Sequence, residues 1–143
     1  MLKGIDPVLS GELLKVLDEM GHADNLLLVD RNYPAFASGK QVIQLGEITQ
    51  RRATEAILSV FPLDTFVEFP LARMEVDDDP SKVSEVHEEV LEVARRTHEN
   101  PLEFAVVPRL EFYVRAAEAF AVVRTLEARP YGCFILQKGV VFD

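Results

Sequence analysis

Residues 19–39, EMGHADNLLLVDRNYPAFASG, decide how this chain folds. They read as a helix end, a turn, a buried strand and a polar loop. Gly21 is placed to terminate the helix, because glycine takes a positive φ without steric cost. Leu26 to Val29 are continuously apolar, the mark of a strand buried on both faces. Asp30 follows where that strand ends, and open α/β sheets bind ligands outside the carboxyl ends of their strands. His22 stands at the mouth of the turn. Each of the two polar residues has a plain reading. A helix-end histidine serves as a cation near the C-terminal dipole, and an aspartate after a strand serves a turn. The functional reading rests on position, since loops on a rigid scaffold carry function.

Composition narrows the classes. The chain has 143 residues, of which 48% are apolar, enough for a single domain (1–143) around one core. A formal net charge of −9 argues against nucleic-acid binding and against docking on anionic membrane. The single cysteine, Cys133, allows no internal disulfide and demands no oxidising compartment. The opening, MLKGIDPVLSGELLK, lacks an apolar core of signal-peptide length, and no run approaches transmembrane length. A soluble, cytoplasmic protein is expected.

Helical and strand-like segments alternate along the chain. Ser10 reads as an N-cap, with Leu13, Leu14, Leu17 and Met20 at helical spacing behind it. After the first strand, Val42 to Leu45 form a short second one. From Glu47 a helix carries Ala53, Ala56, Ile57, Val60 and Phe61 on one face, and Pro62 stops it. Thr65 to Phe69 read as a strand limited by Pro70. Val83, Val86, Val90, Val93, Ala94 and Thr97 repeat at helical spacing. Phe104 to Val107 form a strand ended by Pro108. A helix with Phe112, Ala116, Ala119 and Phe120 follows. Strands at Ala121 to Arg124 and Phe134 to Gln137 complete the pattern. The alternation predicts an α/β fold, a mostly parallel sheet with helices on both faces.

The inventory of chemical groups excludes several mechanisms. There is no G-x-G-x-x-G, no G-x-x-x-x-G-K-[ST] and no G-x-S-x-G. Cys133 has no evident paired base. The acidic run Asp77-Asp78-Asp79-Pro80 lacks the glycine and alternating ligands of a calcium loop, and it reads as a turn before a helix. His87 and His98 lie about three turns apart, too far to share a metal from one helix. His87 is expected in solvent and His98 at a helix end. What remains is a histidine, an aspartate, an arginine and tyrosines near strand ends. That set suits hydrogen-bonding a polar small molecule and moving protons near neutral pH.

These residues carry a resemblance. Gly21-His22-Ala23-Asp24, Asp30 and Pro34-Ala35 resemble the amino-terminal signature of the RbsD/FucU sugar mutarotase family. Arg109, Phe112-Tyr113, Arg115-Ala116 and Ala119-Phe120-Ala121 resemble its second motif. Tyr131-Gly132 and Lys138-Gly139-Val140 resemble its carboxyl end, and the opening Met1-Leu2-Lys3 with Ser10 and Glu12-Leu13-Leu14 also fits. Arg109 draws the match toward the L-fucose mutarotase branch, since the D-ribose pyranase branch usually has histidine there. The resemblance implies an RbsD-like fold and interconversion of monosaccharide anomers without cofactor or metal. It implies His22 as the acid/base, with Asp30, Arg109, Tyr131, Gly132 and Cys133 as sugar contacts. It also implies a homo-oligomer, often a decamer of two pentameric rings with sites near subunit boundaries.

Two departures from the family pattern bear on the sugar. Cys133 stands where asparagine is common, and a thiol is the weaker hydrogen-bonding group. Arg31 follows Asp30 where a small residue is common, and it could narrow the site or pair with Asp30. Tyr113 reads equally as core. One geometric difficulty also stands out. Four strand residues separate His22 from Asp30 by at least about 13 Å. Either the chain bends sharply, or adjacent subunits contribute the two groups. The alternatives in function are a ribose-type or related sugar mutarotase, and a non-catalytic sugar-binding ring protein.

Overall fold

The computed structural model describes residues 1–143. Helix α1 (Gly11–Glu19) starts at Ser10, whose side chain accepts a hydrogen bond from the Leu13 N–H. Strand β1 (Asn25–Val29) leads to a single 3-10 turn at Phe36–Ser38 and then to β2 (Val42–Gly46). Helix α2 (Gln50–Leu58) is capped by Thr49. Strand β3 (Leu71–Met74) precedes α3 (Glu85–Thr97), which is capped by Ser84. Strand β4 (Ala105–Val107), helix α4 (Arg109–Ala116), β5 (Ala121–Thr125) and β6 (Phe134–Gln137) follow.

The six strands form one sheet in the order β2-β5-β1-β6-β3-β4. Pairing is parallel for β2 with β5, β5 with β1, and β3 with β4. Strand β6 runs antiparallel to both of its neighbours, β1 and β3. Its reversed direction has a consequence for the site. Residues just before β6 lie at the carboxyl end of β1, and residues just after β6 lie at the amino end of β1.

Alternate residues face opposite layers, as the two-residue period of a strand requires. Leu26, Leu28, Val123, Phe134 and Leu136 pack under α1, α2 and α3, against Leu13, Leu17, Ala53, Ile57, Val90 and Val93. Leu27, Val29, Val122, Ile135 and Cys133 face the other way, toward Phe112 and Ala116 of α4 and toward Tyr33. Leu26 to Val29 are all inaccessible to solvent, so each leucine contributes about 2 kcal/mol by burial. Helices thus cover both faces of a mostly parallel sheet.

Four local expectations are corrected. Thr65 to Phe69 do not form a strand: Phe66, Val67 and Phe69 are exposed, and the strand begins after Pro70. The Asp64 carboxylate accepts the Phe66 N–H and turns the chain there, while the Pro70 carbonyl accepts the Gln137 N–H as the strand begins. Gly21 does not take the left-handed conformation; Ala23 does, at φ 71°. The Gly21 N–H instead meets the Asp24 carboxylate at 2.7 Å, and α1 ends on an extended Met20. His87 is fully buried rather than solvated. It lies at the third position of α3, where its ring Nδ1 accepts the Ser84 N–H while Ser84 accepts the His87 N–H. Helix α4 ends at Ala116, so Ala119 and Phe120 lie beyond it. No helix is long and apolar enough to cross a membrane.

Candidate functional site

The six residues singled out from the sequence do not converge within one chain. They divide between the two ends of β1. Five strand residues at about 3.3 Å each put those ends about 16 Å apart.

At the amino end stands His22. The Ala23 N–H donates to the Lys138 carbonyl, which fixes the turn against the end of β6. His22 Nε2 lies 3.1 Å from Oδ2 of Asp64, a residue only 1% exposed. Asp64 also accepts from Gln137 Nε2 at 2.9 Å and from the Phe66 N–H at 3.0 Å. Burial alone would raise its carboxyl pKa, but those two bonds and His22 outweigh it and hold the group below the usual carboxylate range. An ionised acceptor makes His22 Nε2 the donor, so Nδ1 is left as the proton-accepting nitrogen. The His22 side chain is 48% exposed. Its ring lies 5.4 Å from Phe66, which in turn lies 6.3 Å from Phe142; both phenylalanines are exposed. Gly139 makes this arrangement possible. A Cβ there would stand 2.7 Å from the Leu63 carbonyl and 2.8 Å from Asp64 Cα. Asp64 and Gln137 were not singled out as site residues from the sequence. The signal available was a lone acid, Asp64, shortly after a helix-ending proline.

At the carboxyl end, Asp30 and residues 131–133 meet. Asp30 is 3% exposed. Its Oδ1 accepts the N–H groups of Asn32 and Tyr33, and its Oδ2 accepts the Gly132 N–H at 3.1 Å and the Cys133 thiol at 3.7 Å. The thiol is buried in the layer under α4, and burial first, then the Asp30 charge, pushes its pKa well up. It is therefore a donor and not a nucleophile. Tyr131 takes a left-handed backbone at φ 60°. Its carbonyl lies 2.9 Å from His87 Nε2, and its hydroxyl donates to Asp77. Tyr113 is half-buried beside Tyr33, with ring centroids 5.6 Å apart. Arg31 is exposed and makes no ion pair with Asp30.

Arg109 begins α4 on the same end of the sheet, exposed and without a side-chain hydrogen bond. It follows β4, three strand positions from β1, or about 14 Å along the sheet edge. The carboxyl end thus holds a polar turn and a free cation, and the amino end holds a histidine backed by a carboxylate. Residues 3–141 match the family described as RbsD / FucU transport protein family. The chain belongs to the RbsD/FucU family.

Relatives in this family match over nearly the whole length. The L-fucose mutarotase of Glaesserella parasuis is 45% identical over 141 residues, covering 98% of this chain and 96% of that protein. The L-fucose mutarotase of Actinobacillus pleuropneumoniae is 41% identical over 140 residues, covering 98% and 97%. Among solved structures, the fucose mutarotase of Streptococcus pneumoniae in complex with L-fucose superposes with a TM-score of 0.88 at 31% identity, covering 99% and 100%.

Proposed function

We propose that this RbsD/FucU protein is a cofactor-independent sugar mutarotase that interconverts the anomers of a monosaccharide, with L-fucose as the preferred sugar. Full-length relatives named L-fucose mutarotase, at 41% and 45% identity, carry the reading. The chemistry of these residues suits it. Ring opening needs a proton delivered to the ring oxygen and another removed from the anomeric hydroxyl. His22 moves one of these protons through Nδ1, while Asp64 fixes the ring's orientation and tautomer through Nε2. Tyr131, Gly132 and Cys133 form the sugar-holding turn, and Arg109 supplies donors to sugar hydroxyls. Asp30 borders the sugar at the base of the turn, where its Oδ2 accepts the Gly132 N–H at 3.1 Å and, weakly at 3.7 Å, the Cys133 thiol.

The opposed placement of the two groups supports a shared site. His22 of one subunit meets the Asp30 end of its neighbour in a homo-oligomer, a decamer of two rings being the arrangement the family resemblance implies. Exposed Phe66 and Phe142 beside His22, and exposed Leu110 and Val114 on α4, are apolar surface that such contacts bury. A cytoplasmic location fits a chain with one buried free cysteine.

The test is anomer exchange by NMR saturation transfer on L-fucose, D-ribose and D-galactose, before and after EDTA. The expected result is fastest exchange for L-fucose, unchanged by chelation. Binding of these sugars without exchange identifies a non-catalytic ring protein. Fastest exchange of ribose moves the assignment to the pyranase branch.

A further inference from the structure

The turn at 131–133 is held from beneath by side chains that no sugar can reach. Gln50, the first residue of α2, is completely buried. Its Nε2 donates to the Gly132 carbonyl at 2.5 Å, and its Oε1 accepts from the Thr125 hydroxyl at 2.9 Å. The network fixes which way the amide points. The Gly132 carbonyl can only accept, so Nε2 faces it and Oε1 is left to accept the Thr125 hydroxyl, whose oxygen in turn accepts the Glu127 N–H. The Gln50 backbone is anchored as well, because its N–H donates to the buried Glu127 carboxylate at 3.1 Å. Gly132 is thereby gripped through both of the peptide units that flank its Cα, its N–H by Asp30 and its carbonyl by Gln50. A Cβ at 132 would stand 3.3 Å from Gln50 Cγ and 3.5 Å from Asp30 Cβ, so the grip also requires glycine.

We infer that Gln50, oriented by Thr125, is a positioning residue that sets the Gly132 peptide and so determines how tightly the 131–133 turn binds sugar. The inference rests on the reading of this turn as the sugar contact. Gln50 is completely buried beneath the turn, so it touches neither the sugar nor the reacting proton. Loosening the turn therefore reduces the population ready to bind, which weakens apparent affinity in proportion. An interaction made equally in ground and transition states alters KM and leaves kcat.

The variants are Gln50→Met, which keeps the length without the polar atoms, and the milder pair Thr125→Val and Thr125→Ser. Exchange rates for L-fucose are measured against sugar concentration, and the Gly132 amide is followed by NMR during a sugar titration. Losing both buried hydrogen bonds of the Gln50 side chain is expected to raise KM at least about tenfold in Gln50→Met, with kcat within about twofold. Thr125→Val shifts KM in the same direction, and Thr125→Ser, which keeps the hydroxyl, restores the wild-type value. Folded variants with unchanged KM overturn the inference. So does a fall in kcat at constant KM. Wild-type protein that exchanges no sugar refutes the mutarotase reading alone. The titration still decides the positioning role, since equal L-fucose affinity in wild type and Gln50→Met refutes it.

Discussion

Two subunit variants, each inactive, should make an active oligomer together. His22→Ala removes the proposed proton-transfer group from an exposed turn. Asp30→Asn is nearly isosteric, but its amide cannot accept from Asn32, Tyr33, Gly132 and Cys133 all at once. It costs about 1–3 kcal/mol and loosens the turn without unfolding a 143-residue domain. The two lesions lie about 16 Å apart along β1, beyond the reach of one monosaccharide. If each site takes its histidine from one subunit and its turn from the next, random co-assembly of equal amounts leaves roughly a quarter of the sites with both groups intact. The variants are purified separately, denatured together, refolded and assayed for L-fucose anomer exchange by saturation transfer. Separately refolded proteins mixed afterwards give the baseline. About a quarter of wild-type activity is expected from the co-refolded sample, and very little from the baseline. Co-refolded protein that matches the baseline, with mixed oligomers demonstrated by mass, would falsify the shared site.

Other outcomes follow from single groups. His87 is neutral in the fold because burial, then the nearby Arg73 charge, outweigh its bond to the Tyr131 carbonyl and lower its pKa from 6.5 to about 4. The unfolded chain binds that proton first as pH falls, so stability is full above about pH 6.5 and drops by about 3 kcal/mol on reaching pH 4. Urea unfolding at several pH values measures this, and a flat profile over that window contradicts the buried neutral ring. Gly139→Ala forces a methyl to within 3 Å of the Leu63 carbonyl and Asp64, so Tm and kcat should fall together as Asp64 leaves His22. Retention of both means the 62–64 segment yields at little cost. Cys133 should resist iodoacetamide in the native protein and react on unfolding, since its thiol is buried and its pKa raised. Rapid native labelling would place it in solvent.

The strands most legible in the sequence were those with unbroken apolar runs. Leu26 to Val29 and Phe134 to Gln137 were placed nearly to the residue, because burial on both faces leaves no polar interruption. Strand β3 was missed for the converse reason. Leu71–Met74 carries Arg73, buried with its guanidinium on the Met74 and Lys82 carbonyls, and that charge hides the apolar pattern. Phe66 and Phe69 drew the strand assignment upstream although they face solvent. His87 was misjudged because helical periodicity ranks a histidine as polar, whereas tertiary partners at both ring nitrogens make its burial tolerable. In the candidate site, positions in the chain singled out His22, Asp30 and the 131–133 turn. The pairing of His22 with Asp64, itself held by Gln137, was not legible, because it joins residues 42 and 115 positions away from His22 through the reversed strand β6.

That reversed strand gives each subunit a direction. One end of β6 borders the turn at 131–133, and the other borders the histidine turn through Lys138. Under the proposed shared site, a chain built this way offers a socket on one side and a plug on the other, and its neighbour relation is head to tail. A closed ring of such units has as many complete sites as subunits. A ring opened at one contact loses one site and leaves an idle socket and an idle plug at its ends. In such a shared-site ring, catalytic capacity would count closed contacts rather than chains, and a broken ring would still work at every contact it retains.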